Sequence, residues 1–66
     1  MTEQTKELMI AMLESQLAIE KETERVYKYT YENASYVEAK NVFNGLLYAS
    51  RKKVNEIERQ LNELKK

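Results

Sequence analysis

Two apolar stripes of helical period, separated by one polar break, decide what this chain can become. The first runs from Leu8 to Ala34 and the second from Ala39 to Leu64. Proline is absent and glycine occurs once, so both stripes favour long uninterrupted helices. On a wheel of about 100° per residue centred on Glu20, the residues Met9, Leu13, Leu17, Tyr27, Tyr31 and Ala34 fall within about 60°. Leu8, Ile10, Met12, Ile19 and Val26 widen that face, and Glu7, Glu14, Lys21, Glu22, Arg25, Lys28 and Glu32 occupy the other side. Centred on Ser50, the second wheel gathers Ala39, Phe43, Leu46, Leu47, Val54, Ile57, Leu61 and Leu64 in the same arc. Gly45 falls on its far side, where it costs about 1 kcal/mol relative to Ala or admits a close neighbour.

The spacing predicts one small all-α unit over residues 1–66: a helix over about 3–32, a turn at about 33–35 and a helix over about 36–64. Thr2 suits the first N-cap, with Glu3 placed well against the helix dipole. Asn33 suits a left-handed helix end, and Ser35-Tyr36-Val37-Glu38 has the spacing of a capping box. A loop this short makes the two helices antiparallel neighbours, each roughly 45 Å long. The first helix's apolar face is wider than one partner covers, and a lone hairpin leaves Met12, Ile19 and Val26 exposed. Pairing two hairpins into a four-helix bundle covers them, so a homodimer or higher oligomer is expected.

Composition removes several functions. Histidine and cysteine are both absent, which takes away the commonest general base, thiolate metal sites and disulfides. The lack of cysteine fits a cytoplasmic protein. Formal net charge is zero, against a nucleic-acid footprint, and no apolar run reaches membrane-span length or resembles a signal peptide. Residues 1–35 hold seven Glu against four Lys or Arg, and residues 36–66 hold four against seven. This asymmetry biases the helices toward each other. Arg51-Lys52-Lys53 reads as a solvated basic run with Lys53 turned inward.

In a hairpin turning near residue 35, facing positions have numbers summing to about 70. Tyr27 then meets Phe43, and Glu20 meets Ser50 with Lys53 one turn on, which makes Glu20, Ser50, Lys53 and Tyr27 a polar layer within the apolar core. Glu20 is expected to be neutralised by Lys53 or hydrogen-bonded to Ser50 or Tyr27.

These spacings resemble the ferritin-like, rubrerythrin-type half-bundle. Glu20-Lys-Glu-Thr-Glu-Arg-Val-Tyr27 matches the family's first-helix Glu with an aromatic seven residues on, and Phe43-Asn-Gly-Leu-Leu-Tyr-Ala-Ser50 matches the frame of its second helix. The resemblance implies a dimer of hairpins around a di-iron centre. The metal motif departs from it: Glu-x-x-His reads Ser50-Arg51-Lys52-Lys53 here. The expected role is therefore structural or protein-interacting, with no catalytic residue and no cofactor.

Two other readings stay open. Glu20 and Glu24, one turn apart, would gather four carboxylates across a dimer and hold a divalent cation such as Fe or Mn. A small coiled-coil regulator without ferritin-like ancestry would show the same two stripes. Tyr29 and Tyr48 point outward and are candidates for a partner surface.

Overall fold

The computed structural model describes residues 2–66. Two helices, α1 (Glu3–Asn33) and α2 (Val37–Lys65), fold back on each other, and the described residues contain no strand. Cα atoms span 51 Å along the hairpin and 14 by 12 Å across it. No helix is long and apolar enough to cross a membrane.

The first helix starts as the sequence predicts. Thr2 is extended, its side-chain oxygen accepts the Thr5 amide at 3.1 Å, and its carbonyl accepts the Lys6 amide at 3.0 Å. The turn differs from expectation at both flanks. No residue among those described has positive φ, so Asn33 does not end α1 in a left-handed conformation. Instead its side-chain amide donates to the Tyr29 carbonyl at 2.8 Å, and extended Ala34 carries the chain out of the helix. The capping box does not form either. The N-cap of α2 is Tyr36, one residue later than Ser35, and it makes no side-chain cap bond. Extended backbone at Ala34 and Tyr36 makes the connection, which moves Ser35 out of the capping position.

One residue takes over the missing cap chemistry. Lys40, on the first turn of α2, donates to the Tyr31 carbonyl at 3.3 Å and lies 5.2 Å from the Tyr31 ring centroid. The last turn of α1 holds no basic residue of its own, so Lys40 supplies the cation that its dipole favours.

The seam between the helices repeats every seven residues. On α1 it comprises Ile10, Leu17, Glu24 and Tyr31, alternating with Leu13, Glu20, Tyr27 and Ala34; all are at least half-buried. On α2 it comprises Lys40, Leu47, Val54 and Leu61, alternating with Phe43, Ser50, Ile57 and Leu64. That is the heptad pattern of an antiparallel coiled coil. Its centre lies between the Glu20 and Leu17 rows and not on Glu20 itself. Ile10 therefore turns in, while Met9 and Leu46 turn out.

The resulting core is thin. Leu47, Val54 and Leu61 are the buried apolar residues among those described, and all lie on α2. The 31 residues of α1 include no buried side chain. A hairpin of this size gains little from so few buried groups.

Candidate polar layer and exposed flank

Half-way along the hairpin the apolar seam gives way to Glu20 and Ser50. Ser50 is 2% exposed, the most buried residue described. Its hydroxyl donates to the Glu20 carboxylate at 3.1 Å and sits 3.4 Å from the Glu20 carbonyl oxygen. A hydroxyl carries one proton, so the shorter contact to the carboxylate is the better bond. No buried side-chain polar atom among the described residues lacks a partner. Next to this layer, Tyr27 and Phe43 pack with ring centroids 6.2 Å apart and planes tilted by 52°, as the spacing predicts.

Lys53 corrects the expected layer. It is exposed, and it forms no ion pair with Glu20 among the described residues. Lys53 stands at the edge of the seam, where a long stem can follow the surface and leave the ammonium in water. Ser50 does the work assigned to it: a short hydroxyl inside the seam satisfies Glu20 without burying a second charge.

Glu24 belongs to a different set of contacts. Its carboxylate accepts from Arg51 Nε at 3.1 Å across the helix pair. Lys21–Glu58 at 3.8 Å and Glu14–Lys65 at 3.4 Å bridge the helices on the same flank. Glu24–Arg51 and Glu14–Lys65 follow the charge asymmetry of the two halves while Lys21–Glu58 runs the other way, and each is a surface pair of small individual worth. Glu20 and Glu24 are thus engaged by Ser50 and Arg51 separately. No group of three or more carboxylate, His or Cys side chains converges among the described residues.

The opposite flank has another chemistry. Along α1 it presents Met9, Met12, Gln16, Ile19, Thr23 and Val26, a row with no charged member. Met12 is 56% exposed, Ile19 66% and Val26 47%. An open groove of about 450 Å³ runs between Met9, Met12 and Leu13 on α1 and Gln60, Glu63 and Leu64 on α2. It continues past Ile19 to Lys53 and Ile57. Leu46 and Val42 extend the flank toward the turn and are also exposed. The seven-residue spacing of Met12, Ile19 and Val26 is the sequence signal for this row.

Tyr29 and Tyr48 are exposed on different helices, as expected, and Tyr36 joins them at the turn. Gly45 has open space where a Cβ would project, so it admits no close neighbour within the hairpin. Exposed ion pairs within each helix hold two carboxyls below the usual range: hydrogen bonding from Arg25 lowers Glu22, and hydrogen bonding from Arg59 lowers Glu56.

Comparison with known proteins adds no relative: no protein-family model, curated protein or solved structure matches the chain.

Proposed function

We propose that this chain is a non-catalytic, self-associating helical hairpin whose role is structural or protein-interacting. One observation carries the reading. The first helix buries no side chain completely, while a continuous uncharged row with Met12, Ile19 and Val26 faces solvent. Contiguous apolar surface of this kind marks an interaction site, and a second hairpin completes a four-helix bundle.

The resemblance to a ferritin-like half that has lost its di-iron ligands rests on Glu20, Tyr27, Phe43 and Ser50. The Tyr27–Phe43 pair and the Glu20–Ser50 bond are consistent with that frame. The residues in place of Glu-x-x-His favour an interaction role, since one hydroxyl and one exposed ammonium supply neither the carboxylate nor the imidazole of that motif. Tyr29 and Tyr48 lie off the uncharged flank and remain open to a further protein partner.

The test is sedimentation equilibrium of the wild type beside Ile19→Glu. The wild type is expected to run as a dimer or larger and the variant as a folded monomer or a much weaker dimer. A wild type that stays monomeric at high micromolar concentration contradicts the proposal.

A further inference from the structure

Resting on the self-association proposed above, the geometry points to one arrangement of the second copy. We infer that two hairpins pack through the uncharged flank about a two-fold axis perpendicular to their length and level with Ile19, so that their turns lie at opposite ends.

Three observations carry this. The first is area. A face 51 Å long and 14 Å across covers about 700 Å², before side-chain relief, close to the roughly 800 Å² that each partner gives a standard interface. A second copy of the same dimensions is long enough to cover a face of that size.

The second is the order of residues along α1. Reversed about Ile19, the row falls on itself: Val26 meets the partner's Met12, and Thr23 lies within one residue of the level of the partner's Gln16. Ile19 meets its own counterpart at the axis. Met12, Gln16, Ile19, Thr23 and Val26 are all uncharged, and Glu20 at the edge of the groove is hydrogen-bonded by Ser50, so the row excludes water without stranding an ion.

The third is charge. The same flank of α2 carries Lys53, Glu56 and Glu63 as well as Val42 and Leu46. Placing the turns at the same end would lay α1 on the partner's α2, which sets Ile19 and Met12 against Lys53 and Glu56. Opposite ends keep the uncharged α1 rows together, and the α2 rows form a mixed seam in which Lys53 sits near the axis and Val42 and Leu46 lie toward the turn. Glu20 and Glu56 line the same stretch of groove as Lys53, so that seam holds charges of both signs.

The chain has no cysteine, so single cysteines report geometry cleanly. Ile19→Cys and Tyr36→Cys would be made separately, checked for helicity and measured as dimers. Under mild oxidation Ile19→Cys is expected to give mostly covalent dimer and Tyr36→Cys almost none. Spin labels on Tyr36→Cys should be separated by about the 51 Å length of the hairpin. A dimer with short label distances, or one crosslinked through position 36, overturns this inference and leaves self-association standing. Long label distances without a crosslink at position 19 overturn the register at Ile19. A monomer in every assay overturns the self-association reading as well.

Discussion

The Ser50 hydroxyl donates to the Glu20 carboxylate at 3.1 Å across the helix pair, and it is the link between the helices at the most buried position described. A hydrogen bond to a charged group is worth about 1.5–3 kcal/mol at its strongest, and Glu20 is only half-buried and keeps access to water. Ser50→Ala should therefore destabilise the fold by about 1 kcal/mol. In a double-mutant cycle with Glu20→Gln, the pair should couple by at least about 0.5 kcal/mol. The same cycle on Glu20 and Lys53 should show coupling near zero. Strong coupling to Lys53 would mean that the ion pair, and not the hydroxyl, organises this layer.

The three contacts across the charged flank should matter little one at a time. Arg51→Ala, which removes the partner of Glu24, should cost no more than about 1 kcal/mol in chemical denaturation, and less at high salt. Manganese should leave the wild-type Tm unchanged, because Glu20 and Glu24 are held by different partners. A manganese-dependent rise in Tm that Glu24→Gln abolishes would favour the carboxylate site instead.

Gly45→Ala should stabilise the protein by about 1 kcal/mol, because Gly45 lies inside α2 with open space at its Cβ position. A loss of stability on this substitution would show that a neighbour packs against α2 at this position.

Two carboxyls give the protein a specific acid response. Arg25 and Arg59 hold Glu22 and Glu56 below the ordinary carboxylate range. A depressed folded-state pKa adds stability above the unfolded value and loses it as pH falls through the folded value. The contribution of these exposed pairs is therefore present at neutral pH and disappears below the usual Glu range. Carboxyl NMR titration should place both groups below that range, and Arg25→Ala should return Glu22 toward it. An unshifted Glu22 in the wild type would show that the pair is not formed in solution.

Much of this architecture was legible in the residues. The stripe periods placed both helices within a residue or two, and the turn fixed the facing of Tyr27 with Phe43 and Glu20 with Ser50. The errors have physical causes. Ser35 and Asn33 carry strong local signals, yet extended backbone at Ala34 and Tyr36 makes the turn without them. Lys53 lay close enough to the stripe on a wheel to read as inward, but a wheel does not show where a four-carbon stem ends. The role of Lys40 was hidden for a related reason: capping α1 from α2 depends on the turn geometry, which no local pattern records. A seam centred between two rows, and not on Glu20, separated Ile10 from Met9.

The central claim is that the exposed row through Ile19 is an interface between copies of this chain. Sedimentation equilibrium of the wild type, over a concentration range from low to high micromolar, tests it most directly. A particle of twice the 7.8 kDa chain mass, reduced to a single chain by Ile19→Glu, is the predicted result. A stable, fully helical monomer across that range would contradict the account, because the hairpin would then hold together with α1 half in water and nothing covering it.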